Sequence, residues 1–246
     1  MKMTKIACTL ALAWLTVGQA AMAAGPESSS TVGDFESKVK VKNVKQITDG
    51  ENNRQDLSVG SIEHSKVDGK FFADVEVQGD ITQSSTGGGS NNKQNMAVGS
   101  VQDSTVQDFQ AKVTTGNLTQ NIKSGSNVEQ DMAIGAVRGS TIEGKFTTNV
   151  DVRNVTQSAT DAKSQKIEIG SASNSTVTGD FTSTVKVKGD INQTANGKGT
   201  SQDLMLGSAR NAQIGKFTSD VTVNGAITQS ANGSNHTQNA TLGSVR

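Results

Sequence analysis

Six phenylalanines, Phe35, Phe71, Phe109, Phe146, Phe181 and Phe217, follow one another at spacings of 36, 38, 37, 35 and 36 residues. A chain that repeats itself at such a period folds as a stack of units, none of which can bury its apolar face alone. The residues just before them read Asp34, Lys70, Asp108, Lys145, Asp180 and Lys216, a strict alternation of sign. Repeats laid one on the next would therefore set opposite charges side by side. The series opens on Asp and closes on Lys, so a second copy placed head to tail would continue it.

Within a repeat the residues obey a period of two. Five of the six open with F-x-x-x-V-x-V, as in Phe71, Val75 and Val77 or Phe181, Val185 and Val187; the third has Phe109, Val113 and Thr115. Even spacing puts these side chains on one face of a strand and Lys, Asp, Glu and Thr on the other. The apolar parity then shifts at Asn43, Gly79, Gly116, Asn154, Gly189 or Gly225, where Gly or Asn points to a bend or bulge.

A second strand follows, carrying Gln46, Gln83, Gln120, Gln157, Gln193 or Gln229 two residues after an aliphatic. After a polar loop of variable length comes a third, Gln-x-apolar-x-apolar-Gly, with Gln55, Gln94, Gln130, Gln165, Gln202 or Gln238. No segment shows the i, i+3, i+4 apolar pattern of a helix, so the chain reads as all-β. The expected fold is a β-solenoid of six in-register rungs, 31–65, 66–104, 105–140, 141–175, 176–212 and 213–246, about 28 Å tall at about 4.7 Å per rung. The apolar residues recur at fixed places, which argues against a disordered polar chain.

The stack makes expectations about vertical neighbours. Three positions after Phe the column reads Lys38, Asp74, Lys112, Asn149, Thr184 and Asp220; five after, Lys40, Glu76, Thr114, Asp151, Lys186 and Thr222. Neither contains like-charged neighbours, and each opposite pair is worth only about 0.2 to 1 kcal/mol, so the charges set register rather than stability. The two glutamine columns are expected to form amide ladders.

Residues 1–24 read as a secretory signal peptide: Lys2 and Lys5, an apolar run from Ile6 to Val17, and Ala21-Met22-Ala23 as the cleavage site. Such a run is too short to anchor in a bilayer, and no later segment approaches the roughly 20 apolar residues a spanning helix needs. Cleavage would remove the only cysteine, Cys8, and the only tryptophan, Trp14, and leave 21 basic residues against 23 acidic, a net of −2. Residues 25–30 form a short tail. A near-neutral chain offers no electrostatic reason to bind nucleic acid or an acidic membrane. The reading is an exported protein without disulfide or cysteine-based metal chemistry.

No atypical capping repeat stands at either end, and the only proline, Pro26, precedes the array. Open edges without proline template pairing with another chain. The spaced residues Gln83, Gly88, Asn91 and Gln94, and again Gln229, Gly233, Asn235 and Gln238, resemble the repeats of bacterial functional amyloids, the curlin and Fap-type fibre subunits. The period here is longer, and the Phe/Val strand is additional. The resemblance implies export across the outer membrane, assembly into a fibre at the cell surface with secretion factors and a nucleator, and a role in biofilm matrix or adhesion. A monomeric β-solenoid adhesin shares every rung-level argument and differs only at the ends.

Other chemistries find little footing. The carboxylates are dispersed by the repeat, and His64 and His236 occupy non-equivalent places, so no catalytic, metal or cofactor site is expected. Gly87-Gly88-Gly89-Ser90 lacks the nine-residue period of calcium-binding β-rolls. A Thr array for ice binding fails where Glu36, Phe72 and Gln110 take the place equivalent to Thr147. The residues expected to matter are the phenylalanine core, the glutamine columns, and Asp34, Lys38, Lys216 and Asp220 for docking between copies.

Overall fold

The computed structural model describes residues 30–51, 53–86, 91–123 and 127–246. The segment read as a signal, residues 25–29 and the loop 87–90 lie outside them. Among the described residues every regular element is a strand, and every pairing is parallel. The chain is a β-solenoid of six rungs.

Four sheets run along the stack. The phenylalanine sheet is built from Phe35–Val41, Ser65–Val77, Thr105–Thr115, Phe146–Val152, Thr176–Val187 and Gln213–Val223, with lead-in pieces at Ser30–Val32 and Thr141–Ile142. The first glutamine sheet runs from Val44–Thr48 to Ile227–Ser234 and the second from Arg54–Val59 to Thr237–Leu242. Three strands per repeat were predicted. The structure adds a fourth, two residues long, in the sheet of Ile62–Glu63, Val101–Gln102, Val137–Arg138, Ala172–Ser173 and Ala209–Arg210, which Val245 extends by a bridge to Ala209. Two residues are too few for any alternation to be read from sequence.

Register is that of identical residues. Phe35, Phe71, Phe109, Phe146, Phe181 and Phe217 pair in succession, with ring centroids 4.4 to 5.5 Å apart. That separation suits offset aromatic contact. These rings, with Val67, Val106, Ile142 and Val177 ahead of them in the same sheet and Val101 and Val137 from the short sheet, form one apolar column. The valines of the phenylalanine sheet meet Ile81, Leu118, Val155 and Ile191 of the first glutamine sheet and Met132, Ile134, Leu204 and Leu206 of the second in another. A third, smaller column holds Ile122, Val128, Ala159, Ala162 and Ala195 where the two glutamine strands begin to part.

The corners are fixed by chemistry that also repeats. Gly60, Gly99, Gly135, Gly170, Gly207 and Gly243 all hold φ between 52° and 60° at the end of the second glutamine strand. A Cβ on Gly135 would lie 2.8 Å from Val150 Cγ2, so both backbone and space demand glycine. The small residue two after Phe is explained by this close approach: Ser183 Oγ donates to the Gly170 carbonyl at 2.7 Å. At the next corner serine hydroxyls accept from the backbone N–H one rung on: Ser61 Oγ from Ser100 N–H at 3.0 Å and Ser171 Oγ from Ser208 N–H at 3.2 Å. At the corner into the first glutamine strand, Asn43, Asp80, Asn154 and Asp190 accept from the N–H of Asp80, Asn117, Asp190 and Ala226. Each caps a backbone donor that the turn would otherwise leave to water.

Phe146 is fully buried between two like rings, whereas Phe35 has a neighbour on one side only. Phe146→Ala should therefore cost about 4 kcal/mol in chemical denaturation, and Phe35→Ala distinctly less. Equal losses would mean that the column is not the core.

Candidate functional site

Both glutamine columns lie in the interior. Gln83, Gln120, Gln157 and Gln193 in the first and Gln55, Gln94, Gln130, Gln165 and Gln202 in the second are buried, each with an apolar residue two positions away on its strand. Every vertical link is made. Nε2 of Gln83, Gln120, Gln157, Gln193 and Gln229 donates to Oε1 of the glutamine one rung earlier at 2.7 to 3.0 Å. Gln94, Gln130, Gln165, Gln202 and Gln238 do the same at 2.6 to 3.0 Å.

The ladders are also tied to each other. The remaining N–H of Gln120 reaches the Asp131 carbonyl at 2.8 Å, and that of Gln157 the Lys166 carbonyl at 2.9 Å. In return Gln94 donates to the Asn121 carbonyl at 3.3 Å and Gln165 to that of Thr194 at 3.1 Å. A buried amide has two donors and an acceptor to satisfy, and this arrangement satisfies them with the backbone of the facing strand. All vertical donors point towards the N-terminal rung, so the ladders have a direction.

The predicted docking residues sit at the ends of the phenylalanine sheet, in the expected columns. The structure uses the column before Phe differently from expectation. Asp34 Oδ1 accepts from the backbone N–H of Lys70 and Asp108 Oδ1 from that of Lys145, both at 2.8 Å. The aspartates cap the next rung's backbone instead of pairing with its ammonium group, because the chain bends there over Gly69 and Gly144. A Cβ on either glycine would meet the carboxylate at 2.1 or 2.2 Å. Lys38 turns to Glu36 on its own strand at 2.6 Å. Rung-to-rung ion pairs form at Lys40–Glu76, 3.0 Å, and Lys93–Glu129, 2.8 Å.

One buried charge cluster was not predicted. Glu168 is fully buried on the outer side of the second glutamine sheet, where the other rungs carry Ser58, Ala97, Ala133, Met205 and Thr241. Its carboxylate meets the guanidinium of Arg138 from the rung before and Lys166 Nζ at 2.9 Å. Arg138 also meets Asp131 at 2.5 Å and donates to the Met132 carbonyl at 2.9 Å. Burial alone would push the Glu168 carboxyl up, but Arg138 and Lys166 outweigh it and hold it below the ordinary carboxylate range. The sequence signal was a lone acid in a column of small and apolar residues.

The two end rungs leave more of the apolar columns exposed. Leu242 is 41% exposed and Val245 53%, whereas their counterparts Leu206 and Ala209 are fully buried. Phe35, Val39, Val41 and Val44 on the first rung are half-buried, and so are Phe217, Val221 and Val223 on the last. Among the described residues no cluster of three or more His, Cys, Asp or Glu is placed to hold a metal ion, and no helix is long and apolar enough to cross a membrane.

Replacing Gln120 by Leu strands the acceptor of Gln83 and a donor of Gln157. The expected loss is about 2 kcal/mol or more, against under about 1 kcal/mol for half-exposed Gln46→Leu; denaturation midpoints of the two variants check this. Glu168→Gln should cost about 3 kcal/mol by leaving Arg138 buried and underpaired. A carboxyl held low in the folded state stabilises fully above about pH 5, and this contribution is lost as pH falls towards its depressed folded value. The wild type should therefore lose more stability than the Gln variant on acidification, which thermal melts across that window would show.

Comparison of the chain with family models, with curated proteins and with solved structures finds no match.

Proposed function

We propose that the protein is a structural subunit of an extracellular amyloid-like fibre, exported by its N-terminal signal and assembling head to tail as biofilm matrix or adhesive material. Its residues serve packing and assembly and none is catalytic. One observation carries this reading: the first and last rungs present half-exposed copies of the same apolar columns, side by side with the same parallel strand edges, that every interior rung buries against a neighbour.

The direction of the glutamine ladders supports the same assembly. At the last rung the acceptors of Gln229 and Gln238 face onward, and at the first rung Gln46 and Gln55 each use one donor, to the Asp56 and Ser84 carbonyls. A second copy laid head to tail meets these acceptors with donors, without inversion of either chain. Open edges of parallel strands, with one proline in the whole chain and that one outside the array, are a template for such growth.

The purified protein, incubated at micromolar concentration, is expected to form unbranched filaments with a meridional reflection near 4.7 Å, the strand spacing. Electron microscopy and fibre diffraction check it. A persistent β-rich monomer in sedimentation would replace this function with that of a solitary solenoid adhesin.

A further inference from the structure

The short sheet and the outer side of the second glutamine sheet enclose a strip of polar residues that runs the length of the stack. On the short sheet the column reads Glu63, Gln102, Arg138, Ser173 and Arg210 in register. Arg246 continues it: its N–H donates to the Ala209 carbonyl at 2.9 Å and its carbonyl accepts from Asn211 N–H at 3.1 Å, one residue beyond the Val245 bridge.

The two interior arginines of this column behave alike. Each pairs with the aspartate seven residues earlier on its own rung, Arg138 with Asp131 and Arg210 with Asp203. Each also reaches across to the next rung, Arg138 to the Glu168 carboxylate and Arg210 to Thr241 Oγ1 at 3.4 Å. Arg246 occupies the same place on the last rung, but the residue seven earlier is Asn239. It is exposed and makes no ion pair among the described residues.

At the other end of the column the sign is reversed. Glu63 is half-buried on the first rung, and no cation lies within ion-pair distance of its carboxylate among the described residues. Burial pushes its carboxyl up, and so do Asp56 and Asp103, against the pull of His64 and Arg54. An acid in that setting gains from a cation placed on the open side of its rung.

We infer that Arg246 and Glu63 form the ion pair that sets register between successive copies of this chain, Arg246 of one copy lying in the short-sheet column directly against Glu63 on the first rung of the next. This rests on the head-to-tail reading above and adds the residues that specify it. The column before Phe is the weaker alternative. A junction of Lys216 with Asp34 would repeat the interior steps from Lys70 to Asp108 and from Lys145 to Asp180, and no ion pair joins those residues among the described ones. The short-sheet column holds no rung-to-rung ion pair in the interior either, but Asp34 already caps the Lys70 backbone N–H at 2.8 Å, whereas Glu63 and Arg246 have no ion partner among the described residues.

The test uses charge reversal. Arg246→Glu and Glu63→Arg chains each present like charges at every junction and should show a critical concentration for filament formation raised roughly tenfold, the equivalent of about 1.4 kcal/mol. Mixed one to one, their unlike ends match, and filaments of alternating copies should form near the wild-type concentration. Circular dichroism melts of the two variants confirm that each still folds. If wild type forms filaments and the single variants assemble equally well, or the mixture is no better than either alone, this pair is not the register device although the fibre stands. If wild type forms no filament, both fall together. Lys216→Asp serves as the comparison: a larger effect there than at Arg246 would overturn the assignment.

Discussion

Nine of the twelve ladder glutamines are buried, and an amide buried without partners is costly. Nothing within a single rung can satisfy the donor and acceptor that point along the stack; only the same residue one rung away is at the right height and in the right orientation. This requirement fixes the register of both glutamine sheets to identical residues, and through the corners it fixes the other two. A slip of one residue would turn every Gln outward and bring its charged or hydroxyl neighbour in. The apolar columns on either side gain by the same register but do not demand it so strictly, since Val and Ile pack against one another in more than one alignment.

The corners transmit this register from sheet to sheet. Six glycines with left-handed backbone let the second glutamine strand turn close over the phenylalanine strand. Serine and Asx side chains then give each turn's exposed N–H a partner on the neighbouring rung. The Asx series ends at Ala226, which accepts nothing for a following rung. At that corner water can serve, because the site is exposed. Where the charges are buried, at Arg138 and Glu168, no such substitution is possible, and the cluster ties the third rung to the fourth at one alignment only.

A good part of this was legible in the chain. Phe109, Val113 and Thr115, two or four residues apart, declare one inner face even in the repeat that departs from consensus. Gln120 sits two residues after Leu118 and so shares its inward parity, which is why an interior ladder was readable. The two-residue strand at Val137–Arg138 was not, because alternation needs more length. The role of Asp34 was misread as an ion pair because its distance to the Lys70 backbone, rather than to the ammonium group, depends on a bend over Gly69 that parity cannot express. Glu168 and Arg138, 30 residues apart in the chain, occupy different columns and meet only when two sheets pack side by side.

The sequence by itself determined that this protein is a stack: the period, the inner and outer faces, and which residue lies over which all follow from spacing, because a parallel in-register array makes vertical neighbours of equivalent positions. The tertiary structure decided everything horizontal. How the four sheets enclose separate apolar columns, which carboxylate meets a guanidinium and which a backbone N–H, and how far the end rungs expose their cores all depend on distances across a rung. Those distances are set by corner geometry and packing, and no repeat length encodes them.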